Sequence, residues 1–282
     1  YRVHSQEFGW LGWAKNGESA GTEGYAYRLE AIEIRLVQKG KTAPGSTLNT
    51  FVKKPTQVIY STHVQNIGWQ NAKTNGETAG TTGQSLRLEG ININLSNLEF
   101  AGGITYQTHV QNIGWQGWKS NGQMAGTQGQ SLRLEAIRIK LTGKIANYYD
   151  VYYRVHSQEF GWLGWAKNGE SAGTEGYSYR LEGIEIRLIK KGTSVPENTT
   201  NSFIKKPTQV NYQTHVQYVG WQGWKNNGEM SGTEGQSLRL EAIKINLSNL
   251  EFAGGITYQT HVQNIGWQGW KSNGQMAGTQ GQ

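Results

Sequence analysis

Histidines are the first residues in this chain to consider for chemistry. His4, His63, His109, His156, His215 and His261 occur one to each copy of a recurring segment. Imidazole is the commonest metal ligand, and three rings meeting on an axis could hold an ion. Yet each His sits between alternating residues as any strand histidine would, and His4 and His156 come from a differently worded strand. Asp150 is the sole aspartate, so acidic calcium loops are absent. No metal or cofactor is expected.

Carboxylates come next. Glu30, Glu89, Glu135, Glu182 and Glu241 each follow an arginine by two residues, which puts both on one strand face. The expected role is structural, as a cross-strand ion pair or as an acceptor for the N–H groups of a bulge. Acid–base catalysis needs a second, differently tuned acid in a cleft, and nothing marks one out. There is no nucleophile elbow, phosphate loop or ligand cluster. An active site is usually singular whereas these groups repeat, so no enzyme is expected.

Tryptophan offers recognition chemistry. Trp10, Trp69, Trp115, Trp162, Trp221 and Trp267 follow a Gly at the end of an alternating run, and are expected to fill a shared core or axis. A second Trp lies three residues on, at Trp13, Trp118, Trp165, Trp224 and Trp270, with Ala72 in the second copy. These rings enter a loop rich in Gln, Asn, Lys and Ser. An apolar face beside placed amides is what a sugar site requires. The candidate ligand-binding set is therefore the second Trp of each copy with Asn121, Asn168 and Asn227.

The elements that position these groups are repeats. The histidines are 59, 46, 47, 59 and 46 residues apart, and residues 101–130 recur letter for letter as 253–282. A higher period of 152 residues relates Tyr1 to Tyr153, so three repeats make one natural module. A unit of roughly 47 residues is near the lower limit for a core of its own. Residues 104–115 alternate with period two, a β-strand, with Ile104, Tyr106, Thr108 and Val110 on one side. Asn121-Gly122 is a turn signal. In the closing run, Leu132 and Leu134 share a phase that Ile137, Ile139 and Leu141 do not, so a β-bulge is predicted at Glu135-Ala136.

Gly is abundant at 39 residues, aromatics reach 11% and cysteine is absent, which favours all-β structure without disulfides. No apolar run approaches the roughly 20 residues of a membrane span. The net charge of +7 comes from scattered lysine and arginine, and suits an anionic cell-wall polymer better than nucleic acid, for which no motif is present. All four prolines fall in two segments rich in Ser, Thr and Asn, read as solvated linkers. The expected layout is 1–40 as the last repeat of a preceding module, 41–56 a linker, 57–192 a complete module, 193–206 a linker, and 207–282 the first two repeats of a following module. Starting and stopping inside the pattern, the chain reads as a piece of a longer array.

At its Gly-Trp, Asn-Gly, Ala-Gly-Thr and Arg-Leu-Glu-Ala-Ile positions, each unit resembles ChW repeats, the clostridial hydrophobic repeats named for a Trp in a Gly-Trp pair. The resemblance covers all six copies and implies a secreted or cell-surface protein of a clostridium-like Gram-positive bacterium, serving adhesion or ligand binding. The fold expected is an all-β pseudo-three-fold module, β-prism-like, with a β-trefoil as the alternative. The function expected is a non-enzymatic adhesive or structural array. It would associate with itself or with neighbouring modules. Because two periods lack only the counterpart of 131–152, head-to-tail filaments are a further expectation. The alternative is a lectin-like module binding cell-wall or host glycans.

Overall fold

A computed structural model describes residues 1–281, and its one helical element there is a single turn, Lys144–Asn147. The chain divides into two compact units, Tyr1–Thr174 with Ser178–Ile204, and Glu175–Tyr177 with Lys205–Gln282.

In the first unit, each of the second, third and fourth repeats folds as a long antiparallel pair. Gln57–Val64 pairs with Leu88–Ser96, Gly102–Val110 with Leu134–Gly143, and Tyr149–Ser157 with Leu181–Lys190. Ile104, Tyr106, Thr108 and Val110 all point inward and are fully buried. The predicted bulge is present: Val110 faces Leu134 and His109 faces Ala136, leaving Glu135 unpaired. The extra residue restores parity, so Leu134, Ile137 and Ile139 all reach the core. The same slip falls at Glu30, Glu89, Glu182 and Glu241. Asn121 and Gly122 both have positive φ, as a two-residue turn of the hairpin kind demands.

The three repeats complete one another by strand exchange. Ala125–Gly126 of the third adds to the closing strand of the second, with Gly90 opposite Gly126. Ala172–Glu175 of the fourth adds to the third, and Ala79–Gly80 of the second adds to the fourth, which closes the cycle. Glycine is required at this crossing, because a Cβ on Gly80 would lie 2.4 Å from the Glu182 carbonyl oxygen. Between the sheets lies one continuous core of Val, Ile, Leu and Tyr from all three repeats.

The first repeat shows what this sharing is worth. Leu29, Ile32, Ile34 and Leu36 are 55–105% exposed, while their counterparts Leu181, Ile184, Ile186 and Leu188 are at most 7% exposed. Burial of such a side chain contributes about 1.5–3 kcal/mol, a gain one repeat cannot collect alone.

The second unit follows the same rule. Gln209–Val216 pairs with Leu240–Ser248, and Ala277–Gly278 of the sixth repeat adds to that closing strand.

Candidate functional site

The bulge builds a polar cluster on the outer face of each sheet. It turns the Glu135 carboxylate toward His109, whose Nδ1 lies 3.1 Å from Oε2, while Arg133 Nη2 lies 2.8 Å from Oε1. Burial alone would push the Glu135 carboxyl up, but His109 and Arg133 more than offset it and hold it below its ordinary value. The same arrangement of an imidazole and a guanidinium about one carboxylate joins His63, Arg87 and Glu89; His156, Arg180 and Glu182; His215, Arg239 and Glu241; and, more exposed, His4, Arg28 and Glu30. Among the described residues, no three His, Asp or Glu side chains gather as a metal site would require.

The first Trp of each repeat packs edge-on against its histidine, over this cluster in the first five repeats, and does not enter the core. Trp115 meets His109 edge-on at 5.4 Å, with the Arg138 guanidinium 4.0 Å above its ring. Trp162 and Trp221 are likewise partly covered, and Trp10, Trp69 and Trp267 are exposed. The reason is register: Gly114–Trp115 folds back beside the opening strand with Trp115 opposite His109, so both rings share the outer face. Tyr60, Tyr106 and Tyr153 supply the large buried rings instead.

Asn121, Asn168 and Asn227 are committed to the fold rather than presented to a ligand. Each side-chain oxygen accepts the backbone N–H at the head of its opening strand, from Ile104, Val151 and Val210 at 2.9–3.0 Å. Asn121 and Asn168 do so from a backbone of positive φ, which asparagine tolerates in turns.

The second Trp falls into two classes. Trp13 and Trp165 are buried at 6% and 3%, whereas Trp118, Trp224 and Trp270 are 42–67% exposed. The difference is made by the two Pro-bearing segments, which fold back as covers and are not merely solvated spacers. The backbone N–H of Trp13 donates to the Ser46 carbonyl at 2.8 Å, and that of Trp165 to the Asn198 carbonyl at 2.9 Å. The preceding Gly12 and Gly164 donate to the carbonyls of Asn49 and Asn201, both at 3.4 Å. Guanidinium groups lie against the same rings, Arg2 and Arg35 about Trp13, and Arg154 and Arg187 about Trp165. Backbone approaches so closely that a Cβ on Gly12 would lie 2.1 Å from the Leu48 oxygen, and one on Gly164 1.8 Å from the Thr200 oxygen.

One neighbouring position records the cover in the sequence. Gly21 and Gly173 donate to spacer carbonyls of Thr50 and Ser202. Where no spacer is present, Gln70, Gln116, Gln222 and Gln268 supply the acceptor from a side chain, at 2.6–2.9 Å from Gly80, Gly126, Gly232 and Gly278. The covered repeats carry Leu11 and Leu163 there. That Leu-for-Gln exchange, coinciding with the insertions, is the signal that distinguishes covered from open Trp residues. In the open corners the N–H groups of Gly117, Trp118, Gly223, Trp224, Gly269 and Trp270 have no acceptor among the described residues. Lys140 Nζ lies 4.3 Å over the Trp118 ring.

A family model described as Clostridial hydrophobic W matches residues 4–38, 63–97, 109–143, 156–190, 215–249 and 261–282. No curated protein and no solved structure matches the chain.

Proposed function

The chain belongs to the clostridial hydrophobic W family, and on that premise we propose that it is a non-enzymatic cell-surface array that adheres through its repeated Gly-Trp corners. The observation that carries this reading is the pair of classes at the second Trp: Trp118, Trp224 and Trp270 recur as open rings with free N–H donors at equivalent places. Equivalent weak sites on one chain act together, so avidity can exceed any single affinity without new contacts. Residues 57–192 are the complete module in this reading, and 1–40 and 207–282 belong to flanking ones, joined by 41–56 and 193–206. The closed strand exchange among three sheets favours a β-prism-like arrangement over a trefoil.

The test is retention of the purified chain on Gram-positive cells or their isolated walls. Trp118→Ala, Trp224→Ala and Trp270→Ala combined should abolish retention while Trp69→Ala leaves it intact. Equal retention of both proteins would overturn the reading. An extracellular location is proposed on the same premise, and the +7 charge suits an anionic wall polymer as the surface encountered. Self-association, or association with neighbouring modules, is part of the same proposal and rests on the repetition of equivalent surfaces along the chain. Sedimentation with electron microscopy separates filaments from single chains. Glycan recognition is the second reading, and the three open rings are the ones that serve it.

A further inference from the structure

We infer that the open corners Gly117-Trp118, Gly223-Trp224 and Gly269-Trp270 dock a turn of a partner polypeptide, in the way the corners of the first and fourth repeats hold the chain's own spacers. The inference rests on the adhesive reading above and names the class of partner.

The chain carries both the occupied and the empty form of this site. In the occupied form, a Ser/Asn-rich turn places two carbonyls three residues apart, Ser46 with Asn49 and Asn198 with Asn201, on the N–H groups of the Trp and the Gly before it. Asn49, Asn198 and Asn201 all have positive φ, which brings both carbonyls to one side of the turn. In the empty form the same two backbone donors have no acceptor among the described residues, beside an exposed indole. The third acceptor that a spacer supplies is already provided by Gln116, Gln222 or Gln268. A short turn with two carbonyls therefore completes the site, and no added strand is needed.

The glycine argues for polypeptide over sugar. At Gly12 and Gly164 a side chain is excluded by the backbone of the bound turn. At Gly117, Gly223 and Gly269 a Cβ would meet nothing within 4 Å, and none of the three has a positive φ. The fold therefore does not require glycine there, yet it accompanies Trp in every open corner. In the second repeat both are replaced together, by Asn71 and Ala72. Stacking a sugar on an indole face does not demand a missing Cβ one residue away, whereas seating a peptide carbonyl there does.

The experiment titrates a synthetic peptide of residues 193–206 into the intact chain, followed by calorimetry and by the indole N–H signals of Trp118, Trp224 and Trp270, with a scrambled peptide as control. Saturable binding is expected at millimolar affinity or tighter. Combining Gly117→Ala, Gly223→Ala and Gly269→Ala should weaken it at least tenfold with an unchanged melting curve. Absence of saturation, or alanine variants that bind as the parent does, would overturn the inference. So would a glycan-array ligand whose binding needs the three Trp residues but tolerates the three alanines, an outcome that leaves the adhesive reading standing. Peptide binding lost in the alanine variants, with cell-wall retention untouched by the Trp substitutions, would support the docking site and sink the adhesive reading instead.

Discussion

The hydroxyl of Tyr60 accepts the backbone N–H of Ile186 at 3.2 Å across 126 residues of chain, and donates to the Glu77 carbonyl of its own repeat. Tyr106 does the same with Ile93 of the preceding repeat, at 3.0 Å. The opening strand of one repeat thereby supplies the acceptor that a neighbour's closing strand lacks. Such a contact forms only once repeats have come together.

Tyr60→Phe should cost about 1–3 kcal/mol in urea denaturation, because it leaves the buried Ile186 N–H unpaired. Tyr1→Phe should change stability by no more than about 0.5 kcal/mol, since its hydroxyl bonds only to Glu18 at an exposed site.

The same phenol predicts alkaline behaviour. Burial pushes Tyr60 from 10.0 up to about 12. A raised folded value means the contribution is intact below the unfolded value and is lost as pH rises through the folded one. Unfolding free energy should fall between pH 10 and 12, more steeply in the parent than in Tyr60→Phe; parallel curves would exclude Tyr60 as the cause.

Gly80→Ala places a methyl 2.4 Å from the Glu182 oxygen at φ +103°, against the strand it donates to. A loss of about 3 kcal/mol is expected from strain and overpacking. Gly83→Ala, at φ +73° with open space around it, should cost about 1 kcal/mol. Calorimetric melting of the two variants distinguishes a crossing point from an ordinary turn glycine.

Gly164→Ala should unseat the spacer over Trp165 without disturbing the sheets. Acrylamide quenching should rise and the emission shift to the red, as expected of an indole passing from 3% exposure toward that of Trp118. Unchanged quenching would show that the spacer cover contributes nothing to Trp165 burial.

Acid should act through Glu135. Despite its burial, His109 and Arg133 hold its carboxyl below 4.5, so its stabilising contribution is present above that value and lost as pH falls through the folded one. Glu135→Gln should flatten the decline of stability below about pH 4.5. An unaltered slope would mean other carboxylates carry it.

Much of this architecture is legible one strand at a time. The odd residue at Glu135-Ala136 follows from counting side-chain parity along Leu134, Ile137 and Ile139, and parity is a property of the chain. Asn121-Gly122 announces its turn because both residues tolerate positive φ. The placement of Trp115 was not legible, because alternation assigns it a side of the strand but not which side faces the core. Trp165 and Trp118 occur in similar words that differ by the Leu163-for-Gln116 exchange, and it takes a segment returning from more than thirty residues downstream to make one buried and the other open.

The sequence by itself determined the repeat, its all-β character, the bulge, the turns and the need for several copies to share a core, since each depends on period, parity or size. Tertiary structure decided which repeat lends Ala-Gly to which, and which tryptophans remain exposed. Those outcomes depend on backbone groups finding acceptors across long separations, and every peptide unit carries the same N–H and carbonyl whatever its side chain.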